Sequence, residues 1–360
     1  MRFFGRISYS LYLWHWPVFL FGQAWLITTP TWWQSLALAA LSVLLGWLGY
    51  RFVETPIRER AILPARWQAF AFLLAGAASV AGLSWALISG QGYPLRHGDD
   101  AQMKQLNVAF NDRFVQCNYT WERLDRPRKL KTCALPDGSA GKADTLFWGD
   151  SHGQALMPAF KQVAQDSGKP IEMVAYPGCR PYGSTRDPKL RATCPVFNQM
   201  VLVYLKNNPR ITTVALTAYF KIDGLEAVEP QMDALLTELD MLDVRVVMIG
   251  STPDFANAHL REGLFMARLR GLDANKLLRF PSAPTLRYIA EEQEMFQRLA
   301  AKHPNLQKYV DLAGVYCDEK LCRYLDGGTL WFVDDHHVSP AGAALAAPRI
   351  QKLLFGSTSP

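Results

Sequence analysis

Charge is missing from two long stretches of this sequence: no Asp, Glu, Lys or Arg occurs from residue 7 to residue 50, and none from 67 to 95. A folded domain bathed in water does not carry charge-free surface over such lengths. A bilayer requires it, at about 20 apolar residues per helical crossing. The first run is broken at Thr28-Thr29-Pro30-Thr31 and predicts two spans, at about 7–27 and 32–50; the second predicts a third at 68–89. A cleavable leader fits poorly, because the first run carries several aromatics and His15 where a plain apolar core is expected, and further apolar runs follow it. Cysteine is equally uneven, with none in the first 116 residues and six after them. No Cys-x2-Cys pair occurs and the spacings are irregular, so disulfides are expected and a metal site is not.

What charge there is has a sign and a place. The net charge is +6, and much of it comes from Arg2, Arg6, Arg51, Arg58, Arg60 and Arg66, set against Glu54 and Glu59 alone in the first 90 residues. Basic residues gathered beside apolar spans are not a stripe on a soluble face, so no nucleic-acid partner is expected. By the positive-inside rule the segments before the first span and between the second and third face the cytoplasm. Everything after about residue 90 then lies outside the inner membrane. Cysteines confined to that part suit an oxidising compartment. Many connectivities are open; short-range closure favours Cys117–Cys133, Cys179–Cys194 and Cys317–Cys322.

Residues 91–142 are rich in Pro, Arg and Lys without clear periodicity and are expected to form a linker with some structure, stapled by Cys117–Cys133. From Ala143 short apolar runs alternate with helical spacing. Strands are predicted at 145–148, 171–175, 211–217, 244–249 and 307–312, and helices at 154–165, 195–206, 229–242 and 285–302. A last helix is predicted from Pro340 to just before Gly356. That order predicts an α/β fold with a parallel sheet between helices, whose chemistry gathers at the carboxyl ends of the strands. The expected domains are 1–60 (two spans), 61–90 (an additional span), 91–142 (linker) and 143–360.

Two motifs fall at such ends. Gly149-Asp150-Ser151-His152 follows the first strand, where Ser151 meets a helix N-terminus; a plain helix-capping role for Asp150 or Ser151 is the competing reading. Asp334-Asp335-His336-His337 precedes the last helix. A serine hydroxyl needs a base to become nucleophilic, and the base needs a partner that fixes its tautomer. Asp334 and His337, three apart in a loop, can supply both.

Together these motifs resemble the SGNH hydrolase superfamily, flavodoxin-like α/β enzymes that cleave or transfer acyl esters. The resemblance covers about 143–355. It implies Ser151 as nucleophile, His337 as general base, Asp334 as its orienter, and the backbone N–H groups of Ser151 and Gly178 as oxyanion donors. His336 is then a loop neighbour of the base. The asparagine that the superfamily places after the third strand is missing from Leu216-Thr217-Ala218-Tyr219-Phe220, leaving Thr217 and Tyr219 as the nearest polar candidates. The stretch from Gly5 to Pro17, with Glu54-Thr55-Pro56-Ile57-Arg58, resembles the end of the acyltransferase-3 membrane family. Members fused to SGNH domains O-acetylate surface polysaccharides, including lipopolysaccharide O-antigen. The resemblance implies an inner-membrane O-acetyltransferase with a periplasmic SGNH domain and no bound cofactor. Acetyl-CoA would serve as acyl donor to a membrane half whose early spans are not in this sequence, with a separate acyltransferase-3 polypeptide as a possible partner. Deacetylation of surface glycans and a non-catalytic glycan-binding role are the alternatives.

Overall fold

The computed structural model describes residues 2–26, 30–62, 64–90, 130, 132–139, 141–183, 188–255 and 260–356. The chain divides into two units, one of Met1–Met103 with Asn257–Leu277 and one of Lys104–Ala256 with Leu278–Pro360.

The first unit contains three long helices, α1 (Arg2–Leu26), α2 (Trp32–Gly49) and α3 (Arg66–Ser89). Thr31 starts α2 through a capping box, its hydroxyl accepting from the Gln34 N–H while the Gln34 side chain accepts from the Thr31 N–H. Helix α2 continues through a π-turn at Tyr50–Glu54, where Glu54 accepts a 2.8 Å hydrogen bond from Ser10 of α1. Among the described residues two helical stretches are apolar and long enough to cross a membrane, Trp32–Arg58 and Arg66–Ser89. They are not buried core helices: Leu74, Trp85 and Ile88 of α3 are each more than 70% exposed. Helix α1 is also long but is interrupted by Ser8, Ser10, His15 and Gln23, and it does not reach the same hydropathy. The His15 Nδ1 lies 2.7 Å from the Tyr12 carbonyl, one helical turn back.

The second unit is built on a six-stranded sheet. Its strands are β1 (Cys133–Leu135), β2 (Thr145–Gly149), β3 (Ile171–Ala175), β4 (Thr213–Leu216), β5 (Arg245–Ile249) and β6 (Leu306–Val310), in the order β1-β3-β2-β4-β5-β6. All neighbours run parallel except β1, which pairs antiparallel with β3 at the edge. Without β1 this is the flavodoxin-like order. Strands β2 to β5 are buried along almost their whole length, as near-continuous Val, Ile, Leu and Phe runs require in a sheet covered on both faces. The connecting helices are α4 (Ser151–Ser167), α5 (Thr193–Asn207), α6 (Leu225–Asp240), α7 (Ala283–Lys302) and α8 (Pro340–Phe355).

The predicted strands and helices lie within a few residues of these. The sheet, however, starts earlier than residue 143, since β1 lies in the stretch read as a linker. Three residues ended by Pro136 are too short to show a period of two. Cys179–Cys194 and Cys317–Cys322 are disulfides, as short-range closure favours. Cys133 is also disulfide-bonded; Cys117 lies outside the described residues.

Candidate active site

Strand β2 is flanked by β3 on one side and β4 on the other, so its carboxyl end is the switch point of the sheet, where α/β folds open a crevice. The chain turns there from strand directly into α4. Gly149 makes the turn possible. A Cβ at this position would sit 2.9 Å from the Gly153 Cα and 3.1 Å from the Thr217 carbonyl, both backbone atoms that cannot step aside. Asp150 caps α4 by accepting from the His152 N–H at 2.8 Å, and its other oxygen accepts from the Tyr219 N–H at 3.0 Å. One carboxylate thus ties the turn after β2 to the loop after β4. The capping reading therefore holds for Asp150, and it leaves Ser151 free to present its hydroxyl.

Ser151 meets the second motif. The His337 Nε2 lies 2.9 Å from the Ser151 Oγ, and the His337 Nδ1 lies 2.9 Å from the Asp334 Oδ2. Asp334 also accepts the backbone N–H groups of His336 and His337, at 3.2 and 2.7 Å. The loop is closed behind them by Val333 N–H donating to the His337 carbonyl, and by Ser339, which caps α8. Burial alone would raise the Asp334 carboxyl, but the hydrogen bond and charge of His337 outweigh it and hold the group well below the usual carboxylate range. This geometry can accept a proton from Ser151 at Nε2 while the resulting imidazolium is steadied at Nδ1.

Gly178 follows β3 with φ +79°, and an added Cβ would strike Leu190 at 2.7 Å. Its loop is pinned by the Cys179–Cys194 disulfide and by Asn198, which donates to the carbonyls of Arg180 and Pro181 at 2.7 and 3.1 Å. Among the described residues no protein acceptor is seen for the N–H groups of Ser151 and Gly178. The two substitutes considered for the missing asparagine are otherwise engaged. The Thr217 hydroxyl donates to the Ile249 carbonyl at 3.1 Å, and the Tyr219 hydroxyl donates to Asp254 at 2.8 Å. Neither is aimed at the serine.

Sequence reasoning missed a layer behind the base. His152 and His336 face each other, Nε2 to Nδ1, at 3.0 Å with their rings 8° from parallel, and the Tyr219 ring stacks on both. Burial, with the neighbouring imidazoles, lowers the affinity of His152 and His336 for a second proton. His152 directly follows the serine and His336 directly precedes the base, and that adjacency was the available signal. Arg180, in the loop after β3, is 4% exposed, with its Nε 3.1 Å from the Asp223 Oδ2.

Two sets of ligand-type atoms lie within 4.8 Å of one another among the described residues: His152, His336 and His337, and Asp334, Asp335 and His336. In the first, His337 already serves Ser151 and Asp334, and His152 bonds to His336. A metal there would displace those bonds.

A family model described as the SGNH domain fused to AT3 domains matches residues 116–352. The chain belongs to this family. Membership makes it an enzyme of acyl-ester chemistry, an acyltransferase or esterase. Among curated proteins it is 36% identical over 64 residues to the peptidoglycan O-acetyltransferase OatA of Listeria monocytogenes, a match covering 18% of this chain and 10% of that protein. It is 38% identical over 71 residues to the O-acetyltransferase OatA of Staphylococcus aureus, covering 19% and 11%. The match thus spans about a tenth of the length of these relatives. A solved lipopolysaccharide acetyltransferase periplasmic domain from Salmonella Paratyphi A aligns with a TM-score of 0.43 and 17% identity, covering 56% of this chain and 80% of that one.

Proposed function

We propose that this SGNH chain is an O-acetyltransferase that acylates hydroxyls of a bacterial surface polysaccharide, such as lipopolysaccharide O-antigen. The observation that carries the reading is the line from the Asp334 carboxylate through His337 to the Ser151 Oγ, with 2.9 Å at each step. His337 takes the serine proton as Oγ attacks the acetyl carbonyl. The negative oxygen of the tetrahedral intermediate lies against the N–H groups of Ser151 and Gly178. Collapse expels the donor group, which takes the proton back from His337, and leaves acetyl-Ser151. The same base then deprotonates the acceptor hydroxyl, whose attack returns the serine.

The acceptor class is supported by the names of the curated relatives, one of them a peptidoglycan O-acetyltransferase, and by the resemblance of the first helices to the acyltransferase-3 family. The donor is acetyl-CoA, a substrate handled by an acyltransferase-3 membrane domain. The N-terminus faces the cytoplasm and the SGNH domain the periplasm. That orientation is supported by the arginines between α2 and α3, and by the disulfides of the second unit, which need an oxidising compartment.

The test compares full-length wild type and Ser151→Ala in membranes, following acetate release from an acetyl ester and acetyl transfer to purified O-antigen. Loss of the serine should lower turnover by up to about a millionfold. Transfer to glycan in preference to water supports the transferase. Acetate release unaffected by glycan makes it an esterase, and equal background rates in both proteins leave only a binding role.

A further inference from the structure

The place proposed for the oxyanion holds two backbone donors, and carboxylates gather in the loops around the site. Asp150, Asp223, Asp254, Asp334 and Asp335 all lie on the loops at the carboxyl end of the sheet, and the exposed Lys221 is already paired with Asp254 at 2.9 Å. A developing oxyanion in such company needs a cation. Among the described residues exactly one lysine or arginine side chain falls in the buried class, and it is Arg180.

Its placement is specific. Arg180 is two residues from Gly178, in the loop after β3, and its side chain reaches Asp223 in the loop after β4. Those two loops flank the carboxyl end of β2, from which Ser151 projects. The buried Arg180–Asp223 pair therefore joins the two loops that lie on either side of the turn carrying Ser151. The backbone that carries Arg180 is fixed by the disulfide at Cys179 and by Asn198. Tyr182 donates to the same Asp223 oxygen at 3.3 Å. Burying an ion pair contributes little net stability compared with apolar packing, so stability alone is a weak reason to keep one here.

We propose that Arg180 supplies the fixed positive charge that stabilises the oxyanion, in the place of a third hydrogen-bond donor. The inference rests on the reading of Ser151 as nucleophile. As Oγ bonds to the acyl carbon, the carbonyl π pair moves onto oxygen and the serine proton moves to His337. The site then holds one new negative and one new positive charge. Asp334 answers the imidazolium, and Arg180 answers the oxyanion across a medium of low dielectric, where a preorganised charge acts strongly. On collapse the pair returns to the carbonyl as the leaving group departs with the proton from His337.

The test uses the full-length protein in membranes with an acetyl ester. Arg180→Met combined with Asp223→Leu replaces the pair by apolar side chains and strands no carboxylate. It should lower kcat by about 100-fold or more, the usual effect of losing one oxyanion donor, with KM within about threefold. Affinity for an arylboronic acid, which forms a tetrahedral anion on the serine, should fall in parallel. Arg180→Lys, which keeps a cation against Asp223, should recover most of the rate lost in the double variant. A double variant with wild-type kcat overturns the proposal, as does Arg180→Lys falling as far as the double variant, since the pair would then act only as scaffolding. Ser151→Ala is measured alongside. Should it retain turnover, the nucleophile reading fails; should it be inactive while the double variant is unimpaired, only the role of Arg180 fails.

Discussion

The two units of this chain handle polarity in opposite ways. In the first, the large apolar side chains are outside: Phe21 is 72% exposed, Trp85 72% and Ile88 76%. In the second, polar groups are inside: Glu292 is 0% exposed, Asp150 2% and His152 6%. Each would be a fault in the other setting. A large exposed apolar surface marks contact with a lipid or protein partner, and buried carboxylates persist only with their oxygens satisfied. Glu292 shows the second rule, accepting from the Ser251 N–H at 3.0 Å, the Ser251 hydroxyl at 2.5 Å and the Tyr309 hydroxyl at 3.0 Å.

The largest effect that sharpens this contrast is at the buried polar site. Asp334→Asn should leave the fold intact and lower kcat by about 10⁴-fold, because an amide can hold the wrong tautomer of His337. Turnover of the acetyl ester, with thermal unfolding as the control, checks it. Glu292→Ala should destabilise the second unit by about 3 kcal/mol, by leaving buried donors without an acceptor, and Glu292→Gln should do less harm. Denaturant unfolding of both variants measures this. In the first unit, Leu74→Lys should oppose insertion of α3 by about 2.5–3.5 kcal/mol if the helix lies in lipid. A membrane-insertion assay that shows no change would break the contrast at its simpler end.

The smallest effect concerns pH. His152 and His336 have proton affinities lowered by burial, so the unfolded chain binds more protons than the folded one. Stability from these groups is fully present above their unfolded pKa, near 6.5, and is lost as pH falls below it. Asp334 is also depressed, but its contribution is lost only below the ordinary carboxylate range. Unfolding midpoints should therefore decline between about pH 6.5 and 5, and His336→Gln should flatten that decline.

Much of the second unit was legible because its elements are long and periodic. Strands β2 to β5 are mostly apolar runs, and Ser151, Asp334 and His337 stand at strand and helix ends where spacing and residue type carry meaning. What was not legible depends on long-range partners. Strand β1 exists only by pairing with β3, and Arg180 is buried only because Asp223, some 40 residues on, comes to meet it. The hydroxyls of Thr217 and Tyr219 were eligible as oxyanion donors until Ile249 and Asp254, on and after β5, claimed them. In the first unit hydropathy located α2 and α3 well, while α1 mixes polar residues into its length and stays below that standard.

The way Asp334 is held has a consequence for turnover. Its carboxylate grips the backbone of the loop as well as the imidazole, so its position does not depend on the ring. In the acetyl transfer proposed above, His337 would lose and regain its bond to Ser151 as donor and acceptor exchange places. Each time the ring let go of the serine it would remain moored at the other nitrogen to an anchor that the loop itself holds. The base would then return to the same bearing for the second half-reaction.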